Sequence, residues 1–279
     1  MTATNARETR RIDEAADLLT DRRIAFLTGA GVSTDSGIPD YRGDGAPRRT
    51  PMTIEQFLAD EVARKRYWAG SHRGWKMFDA AAPNDGHRVI AQFESAGLST
   101  GVITQNVDSL HGQAGSRRHV ELHGTLHRVV CLSCGQVYKR HDLARTLDEL
   151  NPWLENPDAV EINPDGDADV ADPSRFVVPG CELCGGILKP EVVFFGEVVP
   201  TATFRLAAGL VAQADALVVA GSSLVVNSGI RIVEIARRRN LPIVIINRGD
   251  TKGDSRATIK LDAGTTTTLA ALAVRLIRR

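Results

Sequence analysis

The residues best suited to chemistry fall into three groups. Thr104-Gln-Asn-Val-Asp108 sets two amides and a carboxylate in one short stretch, a combination fit to recognise hydroxyl and carboxamide groups. Glu121-Leu-His-Gly124 follows, and His123 there could titrate near neutrality and act as a general base. The third group is Cys131-Leu-Ser-Cys134 with Cys181-Glu-Leu-Cys184, which together use every cysteine of the chain. Such knuckles turn adjacent thiolates onto one tetrahedral ion, and four sulfur ligands leave Zn²⁺ no open position for water. The expectation is one structural Zn²⁺. A single Cys-x-x-Cys would suit a redox pair, but a second with the same spacing favours metal. Disulfides are disfavoured by the opening MTATNARETRR, which has no apolar core of a secretion signal.

Other chemistries find less support. A metal cluster of His119, His123 and His127 would need a helix that Gly124 opposes, and neither adding His111 nor searching for His-Glu-x-x-His supplies one. No Gly-x-Ser-x-Gly elbow is present and the cysteines are committed to zinc, so covalent attack by the protein is not expected. His72, His87 and His141 carry no neighbouring motif and are expected at the surface or the edge of the core.

These groups need elements to position them. Ile12, Ala15, Ala16 and Leu19 have helical spacing, and the apolar run from Ile24 to Thr28 ends in the glycine loop Gly29-Ala-Gly-Val-Ser-Thr34. Further buried strands are expected at 102–104, 216–220 and 243–246, with helices near 205–213, 230–239 and 267–278. Aliphatic strands alternating with helices indicate an α/β fold with a parallel sheet covered on both faces. The Thr104 to Asp108 group then sits at the carboxyl end of a strand, where open parallel sheets place their sites. The first glycine loop lets backbone N–H groups approach a pyrophosphate, although Thr34 stands where a dinucleotide fingerprint has its third glycine. Gly221-Ser-Ser223 forms a second turn after the strand ending at Ala220, and the two could hold one extended cofactor.

Two stretches interrupt the alternation. Residues 49–96 read as a helical module, and 125–188 as a zinc module. The stretch from Glu155 to Asp172 contains carboxylates but no Lys or Arg, and is expected to be exposed and mobile. The rest divides into 1–48, 97–124 and 189–279, which together would build the sheet. Among 279 residues, Lys+Arg and Asp+Glu balance at 34 each, which argues against non-specific nucleic-acid binding, and no apolar run is long enough for a membrane span. A soluble cytoplasmic protein, monomeric by preference, is expected.

Together these motifs resemble the sirtuin family of NAD-dependent protein lysine deacylases, over nearly the whole chain. The resemblance is carried in order by Gly29-Ala-Gly-Val-Ser33, Gly37-Ile-Pro-Asp-Tyr-Arg-Gly43, Thr104 to Asp108, Glu121 to Gly124, the two cysteine knuckles, Lys189-Pro-Glu-Val-Val-Phe-Phe-Gly-Glu197, Gly221-Ser-Ser-Leu224 and Asn247. Tyr67-Trp68, Asn151-Pro152, Pro164-Asp-Gly166 and Leu241 to Asn247 look like the class II branch that contains mitochondrial sirtuin 4. Succinyl-selective members carry Tyr-x-x-Arg, whereas Tyr67 is followed here by Gly70 at the arginine position.

The resemblance implies a Rossmann-like NAD lobe and a small lobe made by the helical insertion and the four-cysteine zinc insertion, with NAD⁺ and an acyl-lysine protein or peptide meeting between them. Gly29, Ala30, Gly31, Ser33 and Thr34, with Gly221, Ser222 and Ser223, would wrap the phosphates. Asn247, Arg248 and Gly249 would reach the adenosine ribose, and Thr265 would cap adenine. Asp40 and Arg42 would lie on the cofactor loop, Gln105 and Asn106 would orient the nicotinamide ribose, and Asp108 with Ile38 would hold the carboxamide. Val193, Phe194, Phe195 and Gly196, facing Val225, Val226 and Asn227, would pair with substrate main chain. In such an enzyme the acyl oxygen attacks C1′ of the ribose, nicotinamide leaves, and His123 accepts a proton, with Asn106 the second catalytic residue. Free lysine and O-acyl-ADP-ribose result. Mono-ADP-ribosyl transfer, or a catalytically weak module binding NAD and zinc, are the alternatives.

Overall fold

The computed structural model describes residues 3–41, 51–154 and 160–277. Arg42, expected on the cofactor loop, lies outside them, as do Glu155 and the terminal Arg278 and Arg279. In chain order the elements begin with α1 (Ala3–Leu19), β1 (Ile24–Thr28), α2 (Ile54–Ala59), α3 (Glu61–Asp79), α4 (Asp85–Ser95) and β2 (Ser99–Thr104). Then come α5 (Leu110–Gln113), β3 (His119–Glu121), β4 (Gly124–Cys131), β5 (Val137–Lys139), α6 (Arg140–Leu150) and β6 (Leu188–Val192). The last are α7 (Thr201–Ala212), β7 (Ala216–Ala220), α8 (Asn227–Arg238), β8 (Ile243–Ile246), β9 (Ile259–Leu261) and α9 (Thr265–Leu276).

Among the described residues, β3-β2-β1-β7-β8-β9 form one parallel sheet in that spatial order. Every residue of β1, β2, β7 and β8 is buried, as a sheet covered on both faces requires. Ile12, Phe26, Phe93, Val218 and Leu269 belong to the core on one face; Leu27, Leu217, Leu210 and Ile232 belong to the core on the other. Each large side chain buried this way contributes about 1.5–3 kcal/mol. The strand order reverses direction between β1 and β7, and such a switch opens a crevice at the strand carboxyl ends.

A second, antiparallel sheet runs β5-β4-β6. Its core joins Val129 and Leu188 to Phe57 and Trp68 of the helices, and the Trp68 indole N–H donates to the Leu188 carbonyl at 3.2 Å. The helical and cysteine-bearing segments therefore share one core. The helical segment is shorter in packing terms than 49–96, because α4 buries Val89, Ile90 and Phe93 in the core of the parallel sheet.

The acidic stretch departs from expectation. From residue 160 onward it packs on α3: Ile162, Asn163 and Ala168 are buried, and Ala168 N–H donates to the Gly70 carbonyl at 2.9 Å. A Cβ on Gly74 would stand 2.2 Å from the Gly166 carbonyl oxygen, so the glycines of α3 form the seat for this loop. His72 and His87 also depart, being buried at 1% and 0% exposure, whereas His141 is exposed as expected. Among the described residues no helix is long and apolar enough to cross a membrane.

Candidate active site and metal centre

The carboxyl ends of β2, β1, β7 and β8 all open into one cavity of about 1670 Å³. Its lining includes Gly29, Ala30, Gly31, Ser33, Thr34, Ile38 and Asp40 after β1, and Gln105, Asn106 and Asp108 after β2. Gly221, Ser222 and Ser223 follow β7, Asn247, Arg248 and Gly249 follow β8, and Thr265 opens α9. His123 lines it as well, with Val193, Phe194, Phe195 and Gly196 on one rim and Val225, Val226 and Asn227 on the other. Residues far apart in the chain are thus gathered because the parallel sheet ends them on one edge.

The glycine loops owe their composition first to each other. Gly31 N–H donates to the Gly221 carbonyl at 2.9 Å, and a Cβ on Gly29 or Gly31 would come within 2.9 Å of Gly221 or Ser222. Gly221 itself has φ of 64°, which a side chain would strain. After Gly29 the chain makes short 3₁₀ turns, at Ala30–Val32 and Thr34–Ser36, in place of the α-helix of a simple dinucleotide fold. Thr265 Oγ1 donates to the Gly31 carbonyl at 2.9 Å, tying α9 to the same loop.

His123 is held by both ring nitrogens. Nδ1 lies 2.8 Å from the Gln105 carbonyl oxygen, and Nε2 lies 2.7 Å from Ser228 Oγ. A carbonyl can only accept, so Nδ1 carries the proton and Nε2 presents its lone pair, accepting the Ser228 hydroxyl. Burial lowers the His123 pKa below its ordinary 6.5, opposed by the Gln105 contact. The imidazole is therefore neutral at pH 7, with a basic nitrogen directed away from the backbone bond that orients it.

Asp108 is fixed by a longer chain of donors. Leu110 N–H donates to Oδ1 at 3.0 Å and Ser33 Oγ donates to Oδ2 at 2.7 Å. Ser33 Oγ in turn receives Asn106 Nδ2 at 3.0 Å and faces His87 Nε2 at 3.4 Å. His87 is the third residue of α4 in a capping box, where Nδ1 accepts the Asn84 N–H at 3.3 Å, so Nε2 carries the proton toward Ser33. Burial brings its pKa down to about 4. Asn84 Nδ2 also donates to the Val32 carbonyl at 2.7 Å, fastening the cap of α4 to the glycine loop. Asn106 Nδ2 reaches the Gly29 carbonyl as well, at 3.1 Å.

Two expected roles meet a different arrangement. Gln105 gives its amide N–H to Ser222 Oγ at 2.6 Å, and it is its main-chain carbonyl that orients His123. Asn227, expected with Val225 and Val226 to pair with substrate main chain, opens the first turn of α8; Val226 before it is extended. On the opposite rim Val193 N–H donates to the His123 carbonyl at 2.8 Å, and Glu197 accepts from both Phe194 N–H and the buried Lys189, at 2.7 and 3.0 Å. Ser228 and His87 were missed as site residues. The Asn84 to His87 spacing of a capping box was the available signal for the second.

The four cysteines meet between β4 and the turn before β6. All four Sγ atoms lie within 4.8 Å of one another, with Cys131 to Cys184 at 3.5 Å and Cys134 to Cys181 at 3.7 Å. Disulfides need about 2.05 Å, whereas sulfurs at the corners of a tetrahedron with Zn–S of about 2.3 Å stand about 3.8 Å apart. The geometry fits zinc. The Tyr138 hydroxyl, 3.1 Å from Cys181 Sγ, brings that thiol down to about 6 and favours the ligating thiolate. Among the described residues these cysteines are the only His, Cys, Asp or Glu group placed to hold a metal, and His119 and His127 stand on strands.

A family model described as the Sir2 family matches residues 29–228, most of the chain and the whole of the cavity's first three strand ends. This chain belongs to the Sir2 family. A Mycobacterium avium relative named NAD-dependent protein deacetylase 1 is 51% identical, covering 94% of this chain and 95% of its own. The Drosophila melanogaster relative named NAD-dependent protein deacylase Sirt4 is 44% identical, covering 88% and 81%. A solved structure described as Sir2 with p53 peptide and NAD⁺ matches with a TM-score of 0.76 at 32% identity, covering 94% and 97%. This Sir2 chain thus shares its fold with that solved relative.

Proposed function

We propose that this chain is an NAD-dependent protein lysine deacylase that releases free lysine, nicotinamide and O-acyl-ADP-ribose from an acyl-lysine protein or peptide. The observation that carries the reading is the tautomer of His123, whose Nε2 lone pair accepts from Ser228 Oγ within the lining of the cavity that also holds the Asp108 and glycine-loop groups. Relatives named as deacetylases, and solved relatives described with acetylated and propionylated peptides, support the same chemistry.

Bound NAD supplies the ribose carbon that takes the acyl oxygen as nicotinamide departs. Asp108 and Asn106, rigidly held through Ser33, offer acceptor and amide groups to the nicotinamide half, with Ile38 covering them. The two glycine turns offer main-chain donors to the phosphates, and Asn247 to Gly249 with Thr265 border the adenosine end. His123 Nε2 takes a proton from the ribose hydroxyl once Ser228 yields its bond, and Nδ1–H keeps the resulting imidazolium on the Gln105 carbonyl. The rims at 193–196 and 225–227 receive the substrate main chain. Cys131, Cys134, Cys181 and Cys184 hold a zinc ion that ties β4 to β6 and stays clear of the reaction.

The finer reading is a class II enzyme of the sirtuin 4 kind. It is supported by 44% identity to the Drosophila protein and to a bovine lipoamidase named sirtuin-4, alongside bacterial deacetylases at equal or higher identity. Gly70 lies under the 160s loop, where an added Cβ would stand 3.0 Å from the Ala168 carbonyl oxygen. Incubating the purified protein with NAD and a panel of acetyl, propionyl, succinyl, lipoyl and long-chain acyl peptides, read by mass spectrometry, tests this. Free lysine with O-acyl-ADP-ribose is expected. ADP-ribose found on protein in place of deacylated peptide would favour transferase action.

A further inference from the structure

On α8, Ser228 touches the catalytic histidine, and three residues later Arg231 also lines the cavity. Residues three apart share a helix face, here separated by about 4.5 Å along the axis. Arg231 is exposed, and its guanidinium lies 4.1 Å from the centre of the Phe204 ring of α7. Stacking on that ring limits the freedom of the long side chain while leaving its N–H edge open to another group.

Among the described residues no carboxylate forms an ion pair with Arg231. The one carboxylate of α8, Glu234, stands at the right spacing to pair with it, but is taken by Arg237 and by Arg256. Glu197, on the facing rim, is engaged by Lys189 at 3.0 Å. An oriented cation with no described counter-ion therefore stands at the rim, one helical turn from the catalytic centre.

We infer that Arg231 is a specificity-determining residue that selects substrates bearing an aspartate or glutamate close to the acyl-lysine. An extended peptide advances about 3.3 Å per residue, so the side chain reaches positions one to three residues from the lysine. The inference rests on the deacylase reading for its substrate, but it concerns the flanking sequence and not the acyl group. A rim ion pair of this kind changes affinity by about two- to fivefold, and screening by salt weakens it.

The test uses the full-length protein and acetyl-lysine peptides identical except for Asp, Asn or Lys at each of the three positions on either side. Affinity is read by fluorescence anisotropy and turnover by mass spectrometry, in wild type, Arg231→Gln, Arg231→Glu and Arg231→Lys. At one or more of these positions the wild type and Arg231→Lys are expected to favour Asp over Asn, with Lys disfavoured. Arg231→Gln should level the series and Arg231→Glu reverse it, with both the preference and its reversal shrinking in high salt. A ratio between acidic and neutral peptides that is the same in all four proteins overturns the inference, whether or not peptides are turned over. An Arg231-dependent preference in binding without turnover of any peptide supports the inference and counts instead against the deacylase reading.

Discussion

His123 and Ser228 meet through Nε2 and Oγ at 2.7 Å, on the other side of the ring from the Gln105 carbonyl that fixes Nδ1. The serine hydroxyl occupies the Nε2 lone pair, the one that the proposed role of His123 as base requires to take a proton. Burial of the ring has a consequence for pH. With its pKa lowered, His123 is neutral throughout the neutral range, and the rate should rise with pH only through a step below 6.5. A profile of kcat/KM against pH checks this; an acid limb centred above 7 would contradict the burial argument.

His87 acts on Asp108 through Ser33. Removing its ring in His87→Ala leaves Ser33 without one donor and breaks the capping box of α4, at a cost of about 1–3 kcal/mol in stability. Nicotinamide exchange should fall more than ADP-ribose affinity, because the phosphate-side turns are held by other contacts. Equal losses in the two measurements would reduce His87 to a core residue.

The zinc site should matter for folding and not for the chemical step. Cys181→Ser removes one of four ligands and the Tyr138 contact, so metal content should fall well below one per chain, with a lower Tm. Metal analysis and a thermal melt decide it. Full zinc content with unchanged melting would remove the metal assignment.

Acid should destabilise the fold through two histidines. Burial lowers both His72 and His87 to about 4, while their unfolded values lie near 6.5. Between those values the unfolded chain binds more protons, so stability is full above about 6.5 and is lost as pH falls toward 4, by roughly 2–3 kcal/mol per histidine. Denaturant titrations at pH 7 and 5 measure the slope. Equal stability at both would mean that neither ring is buried neutral.

The alternating strands and helices were legible in sequence because aliphatic runs such as Ala216 to Ala220 and Ile243 to Ile246 admit no other placement. The cysteine pair spacing carried the metal site for the same reason of local geometry. Packing between distant segments was not legible. His72 and His87 read as residues of the surface or the core's edge because their full burial depends on α3 and α4 meeting partners far along the chain. The acidic loop read as exposed because its composition is polar, yet Gly70 and Gly74 offer its backbone a seat that no charge count reveals. Ser228 stands just past Val225, Val226 and Asn227, and its contact with His123 depends on α8 beginning at Asn227 and turning that hydroxyl toward the ring.

The central claim is that the chain deacylates lysine with His123 as base. Its most direct test is the release of deacylated peptide by wild type and His123→Ala, with zinc content and ADP-ribose affinity measured on the same preparations. The account predicts a loss of about 10²- to 10⁴-fold in peptide release, with metal and ADP-ribose binding near wild type and nicotinamide exchange less affected. A folded, zinc-loaded His123→Ala protein that frees lysine at the wild-type rate would contradict it.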